Sequence, residues 1–321
     1  MIDVGELVEQ ARAGKARAVA RLLSLVEDDH PRLPEIAAAL VPHTGAATIV
    51  GLTGPPGVGK STSTSMLLSA LRERGKRVAV LAIDPSSPFS GGALLGDRIR
   101  MTEHATDSGV FIRSMATRGH LGGLSSATPA AVRVLDAAGF DVVLIETVGV
   151  GQSEVDVVRL ADTTVVLLAP GMGDGIQAAK AGVLEIADIF VVNKADRPGA
   201  DATVHELRSL VAMSRREISG ASWRQPIVRT VAAEGVGADE VVAALAEHRT
   251  WLRERGELDR RRTGRARAEI EAIALRRLRS ELGELRGRDR LGELAEGVVA
   301  RELDPYRAAD RLVAELHGGQ G

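Results

Sequence analysis

The feature that most restricts this fold is the run Gly54-Pro55-Pro56-Gly57-Val58-Gly59-Lys60-Ser61. It fills every fixed position of G-x-x-x-x-G-K-[ST], follows the apolar run Ile49-Val50-Gly51-Leu52 and opens a helical stretch. Each part has a physical purpose. The glycines Gly57 and Gly59, with Val58 between them, let successive backbone N–H groups turn inward on a β-phosphate. The helix behind adds its positive end. Lys60 places a compact charge between β- and γ-phosphates, Ser61 offers a hydroxyl to Mg²⁺, and Thr62 reaches the α-phosphate.

Around this run, short β-rich segments alternate with helical ones. The predicted strands are Thr48–Thr53, Arg77–Asp84, Gly109–Ser114, Asp141–Glu146, Thr163–Ala169, Ile189–Asn193 and Pro226–Val231, mostly unbroken Val, Ile and Leu. Strands of that kind are buried on both faces. Helices are predicted between them, including Ser61–Arg74, Ala127–Ala138 and Asp201–Met213. The expectation is an α/β fold with a doubly wound, mainly parallel sheet, whose ligands bind at the carboxyl ends of the strands. The 321 residues divide into a helical arm (1–45), a P-loop domain (46–250) and a helical extension (251–321). In the arm, Pro31 and Pro34 interrupt a helical pattern. In the extension, Ile270, Ile273, Leu275, Leu278, Leu282 and Leu285 form an apolar stripe that suits either a core or a dimer seam. The run Arg260-Arg261-Arg262 reads as a solvated face.

Composition removes several classes. The formal charge of −2 gives no global basic field for nucleic acid, and aromatic residues are only 2%. Cysteine is absent and the seven histidines are scattered, which excludes disulfides, thiolate catalysis and zinc–thiolate sites. No apolar stretch is long enough to span a membrane and no secretory signal is evident, so a cytoplasmic enzyme or switch protein is expected. Only five of the 41 basic residues are Lys, and Lys60, Lys180 and Lys194 are three of them.

Asn193-Lys194-Ala195-Asp196 closes the strand Ile189–Asn193 in the N-K-x-D pattern that reads guanine. The Asp196 carboxylate accepts from N1–H and the exocyclic N2–H. Adenine lacks both donors, so the carboxylate would stay unpaired. The stem of Lys194 lies over the base, Asn193 ties this loop to the phosphate loop, and Thr230-Val231-Ala232, ending the last strand, is the place for a backbone N–H to the guanine O6, with Ala232 as the donor. Two further strands end in Asp84 and Glu146 on the same edge, where they serve a hard cation directly or through water. Gly149 is set to donate its N–H to the γ-phosphate. Asp97, after the Gly-rich stretch 86–96, is a candidate for positioning the attacking water. Asp174, in the loop 171–175, and Lys180 lie near the site. The two-residue return after the first helix, Gly75-Lys76, makes the next strand parallel to the first.

Taken together, DPSSPFSGGALLGDRIRM (84–101), GHLGGLS (119–125), ETVGVGQSEVDV (146–157) and NKAD resemble the MeaB/ArgK GTPases, G-protein chaperones associated with methylmalonyl-CoA mutase. The segment ARAVARLLSLVED (16–28) is similar to that family's helical arm. The resemblance spans roughly residues 10 to 240. Pro55 departs from it, since Ala is expected there. The resemblance implies GTP/GDP binding with Mg²⁺, slow hydrolysis, a homodimer, and association with an adenosylcobalamin-dependent acyl-CoA mutase whose cofactor loading it gates and which it protects or reactivates. It places Asp84 and Glu146 on the magnesium network, Asp97 on a first switch, and Asp174 and Lys180 on a further switch. The rival readings are a nickel-delivery GTPase, which would carry Cys and His metal sites, and an ATP-dependent kinase or transport ATPase, against which the Asn193–Asp196 pattern stands. A signal-recognition GTPase would bring a Met-rich or basic RNA-binding region, and only six Met are present. A nucleotide-sensing adaptor overlaps with the chaperone reading.

Overall fold

The computed structural model describes residues 3–84, 104, 106–116, 127–147, 160–171, 186–215, 222–286 and 290–318. The chain divides into two units, Met1–Arg262 and Thr263–Gly321.

In the first unit seven strands form one sheet in the order β3-β2-β4-β1-β5-β6-β7. They are β1 (Thr48–Thr53), β2 (Val78–Asp84), β3 (Val110–Ala116), β4 (Val142–Thr147), β5 (Thr163–Leu168), β6 (Ile189–Val192) and β7 (Ile227–Arg229), each within two residues of its sequence expectation. Every neighbouring pair is parallel, β2 included. β4 lies between β1 and β2, with Glu146 paired in register to Leu52 on one side and Ala82 on the other. β7 stops earlier than its sequence pattern because the chain turns back: Val231 makes an isolated antiparallel bridge to Val236.

Both faces of the sheet are covered, as the continuous apolar strands require. On one face, α1 (Val4–Arg12), α2 (Ala16–Glu27), α3 (Leu33–Leu40) and α5 (Ala127–Ala137) pack on Ile49, Leu81, Ile83, Val143 and Ile145. The three amino-terminal helices therefore share a core with the sheet. Leu22, Leu23 and Ile36 are fully buried in it. Pro34 stands in the first turn of α3, where a missing N–H costs nothing. On the other face, α4 (Lys60–Glu73) and α7 (Ala238–Glu254) bring Leu67, Leu68, Val241 and Leu245 onto Val50, Leu52, Val80 and Leu144. α6 (Ala200–Arg215) covers Phe190 and Val192 with Val204 and Leu207.

The Arg260–Arg262 run differs from its expected solvated face. Arg260 is exposed and pairs with Glu257. The next two residues lie on the sheet side of α8 (Glu257–Arg286). Arg261 forks onto both carboxylate oxygens of Asp188 at 2.9 Å, and Arg262 reaches Asp162 Oδ2 at 2.9 Å. Two buried acids at the amino ends of β5 and β6 need countercharge, and consecutive helical positions supply it.

The second unit contains most of α8, then α9 (Arg290–Val299) and α10 (Pro305–Gly318). Asp304 caps α10 by accepting the N–H groups of Tyr306 and Arg307, each at 3.0 Å. On α8, Ile270, Leu275 and Leu278 are exposed, at 68%, 47% and 51%. Among the described residues, no helix is long and apolar enough to cross a membrane.

Candidate functional site

The carboxyl ends of β1, β4, β6 and β7 converge on one edge of the sheet. The phosphate loop leaves β1 there. Gly54 has φ +145°, and a Cβ at that position would stand 2.2 Å from the backbone oxygen of Leu167 on β5. Gly59, the N-cap of α4, has φ +92°, and its Cβ would stand 2.5 Å from Asn193 Nδ2. Glycine is thus required at both ends of the loop by neighbours as well as by backbone angle. Val58 is fully buried and anchors the loop in the apolar layer under α4. Lys60 is 8% exposed, and its ammonium donates to the carbonyls of Gly54 at 2.7 Å and Pro55 at 3.1 Å. That holds a cation at the mouth of the loop, above the amino end of α4. Thr62 is exposed on the first turn.

Ser61 Oγ donates to Glu146 Oε1 at 2.6 Å, with both residues buried. This joins the start of α4 to the end of β4 through two oxygen groups, the donor chemistry that a hard cation prefers. Asp84 ends β2, paired with Ala116 one step beyond the Ile83–Thr147 pair, on the same edge.

The loop after β6 is tied directly to the phosphate loop. Asn193 is 2% exposed, and its Nδ2 donates to the Val58 carbonyl at 2.8 Å. Its Oδ1 accepts from Thr230 Oγ1 at 3.1 Å and from the Ala232 N–H at 3.0 Å. Lys194 adopts a left-handed backbone, φ +57°, and its ammonium donates to the Gly57 carbonyl at 2.6 Å. The Ala195 N–H bonds to the Thr230 carbonyl at 3.0 Å. Asp196 is exposed at the end of this braced turn. A non-glycine residue in the left-handed region persists only where its surroundings hold it, and such sites cluster at ligand clamps.

Lys60, Ser61, Glu146, Asn193, Lys194, Asp196 and Ala232 are therefore gathered on one edge. The Ala232 N–H, expected to face a guanine O6, instead braces Asn193 in this structure. Thr230, expected only as part of the Thr230–Ala232 backbone segment, contributes its hydroxyl, which completes the Asn193 network. Asp97, Gly149, Asp174 and Lys180 lie outside the described residues.

The sequence model of the family described as "Methylmalonyl Co-A mutase-associated GTPase MeaB" matches residues 19–285. A relative from Pyrococcus abyssi is 50% identical over 319 residues, covering 99% of this chain and 98% of its own length. GTPase ArgK of Escherichia coli is 37% identical over 262 residues, covering 79% of this chain and 78% of its own. The mitochondrial methylmalonic aciduria type A homolog of Mus musculus is 34% identical, covering 94% and 76%. Among solved structures, a protein named LAO/AO transport system kinase superposes with a TM-score of 0.72 at 27% identity, over 99% of both chains. A phosphate loop bonded to an N-K-x-D loop is the working edge of a guanine-nucleotide enzyme, and with a family match of this extent the chain belongs to the MeaB family and is a GTPase.

Proposed function

We propose that this GTPase is a chaperone of an adenosylcobalamin-dependent acyl-CoA mutase, with methylmalonyl-CoA mutase as its client. Its nucleotide state gates cofactor loading and protects or reactivates the mutase. The observation that carries the reading is the direct bonding of the phosphate loop to the base loop through Asn193 and Lys194, in a chain of the MeaB family. Whatever changes at the phosphates is felt at the base loop and in the segments beside it.

In this reading the backbone N–H groups of Gly57, Val58, Gly59, Lys60, Ser61 and Thr62 receive the phosphates, helped by the positive end of α4. Lys60 exchanges its bonds to the Gly54 and Pro55 carbonyls for the β- and γ-phosphate oxygens. Asp196 accepts N1–H and N2–H of guanine, and Lys194 covers the base. Ser61 and Glu146 fit Mg²⁺ by their donor chemistry, with Asp84 alongside. Held there, Mg²⁺ would supply countercharge to the nucleotide phosphates. Gly149 donates its N–H to the γ-phosphate and Asp97 positions the attacking water. Asp174 and Lys180 report the nucleotide state to the mutase. Hydrolysis is slow until the partner binds. The chain is a homodimer, a reading supported by the exposed apolar residues Ile270, Leu275 and Leu278.

The test is steady-state phosphate release from GTP and from ATP, with and without the methylmalonyl-CoA mutase of the same organism. Slow GTP turnover that rises with mutase, with ATP inert, is expected. GTP turnover indifferent to the mutase would remove that client. ATP turnover equal to that of GTP would overturn the assignment of Asp196.

A further inference from the structure

The amino edge of the sheet, opposite the nucleotide loops, carries a polar cluster that the proposed mechanism leaves unused. Asp188 immediately precedes β6. Its Oδ2 accepts the Thr164 N–H at 2.8 Å, and both its oxygens take the Arg261 fork at 2.9 Å. Its backbone carbonyl accepts the Trp223 indole N–H at 2.7 Å. Arg261 also donates to the Asp162 carbonyl at 2.9 Å. His248, with no exposed surface, meets Thr163 Oγ1 at 2.9 Å and lies 3.3 Å from Asp188 Oδ1, between Trp223 and Trp251. Burial pushes its pKa down to about 4, so the imidazole is neutral at pH 7. Asp188 and Asp162 then face Arg261 and Arg262, and Glu257 lies 4.0 Å from Arg261 Nε.

β6 is four residues long. Asp188 stands at its start and Asn193 just past its end, about 16 Å away at roughly 3.3 Å per residue. A strand hydrogen-bonded on both sides transmits a shift along its axis instead of absorbing it, and β6 is paired to both β5 and β7. From this juxtaposition we propose that Asp188 and Arg261 are positioning residues for guanine recognition: their fork fixes the axial position of β6 and hence the place of the Asn193–Asp196 loop. The inference rests on the reading of Asp196 as the guanine acceptor.

The test measures GTP and ITP affinity side by side, because inosine lacks the exocyclic amine that Asp196 takes. Wild type prefers GTP. Arg261→Ala lowers the GTP-over-ITP ratio by about 2- to 30-fold, the span of coupling seen through packed networks. Arg261→Lys keeps the charge but loses the fork, lowers the ratio by less, and decides the matter if Arg261→Ala does not fold. Arg260→Ala, one residue away and exposed, leaves the ratio unchanged. A merely structural clamp would lower the melting temperature of the Arg261 variants and leave the ratio at its wild-type value, which would overturn the proposal. Asp196→Asn serves as reference. If it does not abolish the preference, the base reading fails and the clamp proposal falls with it. If it does and the Arg261 variants behave as wild type, only the clamp proposal is lost. Trp223 and Trp251 are the only two tryptophans of the chain. GTP binding to the wild-type protein is therefore expected to shift its intrinsic emission, and a silent titration at saturation counts against the coupling.

Discussion

Replacing Asn193 by Ala tests the join between the two nucleotide loops. The side chain makes three hydrogen bonds, to the Val58 carbonyl, the Thr230 hydroxyl and the Ala232 N–H, at 2.8, 3.1 and 3.0 Å. Thr230 is fully buried and Ala232 is 7% exposed, so water replaces the lost partners poorly. Each bond contributes about 1 kcal/mol net, and each buried group left unpaired adds to the loss. The expected destabilisation is about 3–5 kcal/mol. That is a large share of a typical folding free energy, yet short of abolishing the fold. Urea unfolding followed by circular dichroism should show an earlier midpoint with an unchanged slope. Nucleotide affinity should fall too, because the phosphate loop and the base loop are no longer held in one frame. Asn193→Asp is not a rescue: it keeps an acceptor for Thr230 and Ala232 but sets a carboxylate against the Val58 carbonyl. A loss of stability below about 1 kcal/mol for Asn193→Ala would show that the network does not carry the join, and the argument would fail.

Four further outcomes follow from the same structure. Gly54→Ala forces a methyl group into the backbone of Leu167, and calorimetry should find no nucleotide binding by any chain that still folds; wild-type affinity would contradict the geometry. Lys60→Ala should abolish GTP binding in equilibrium dialysis while leaving the melting temperature close to wild type. His248 has a folded pKa of about 4 against an ordinary value of 6.5, so the unfolded state binds the extra proton first. Its contribution is present above pH 6.5 and is lost as pH falls toward 4, amounting to about 3 kcal/mol. Denaturation between pH 7 and pH 4.5 should show this slope, and His248→Gln should flatten it. Leu22→Ala opens a cavity in the core that α2 shares with the sheet and should cost about 2–5 kcal/mol; a loss under 1 kcal/mol would mean that the arm is not integral to that core.

Much of this molecule is legible in the chain because its signals are local. The continuous Val and Ile runs announce strands covered on both faces, and the structure places seven of them in one parallel sheet. The phosphate loop carries its glycines, lysine and serine within eight residues, and the base loop is four consecutive residues at a strand end. Gly75-Lys76 leaves room only for a parallel return, so the direction of β2 is also readable.

The rest depends on residues far apart in sequence. Arg261 and Arg262 read as a solvated run because the acids close to them in sequence, Glu257 and Asp259, suit ordinary pairs along an exposed helix face. Their partners Asp188 and Asp162 lie 73 and 100 positions earlier and meet them only once β5, β6 and α8 are packed. Thr230 becomes part of the site because β7 pairs with β6 and brings its hydroxyl to Asn193, 37 positions back. Sequence spacing has no access to that distance. By itself the sequence determined the strand directions and the chemistry of the two nucleotide loops, since backbone propensity and motif spacing act over a few residues. Only the tertiary structure decided how those loops are joined and which buried charges balance one another, because hydrogen bonds and ion pairs depend on separation in space.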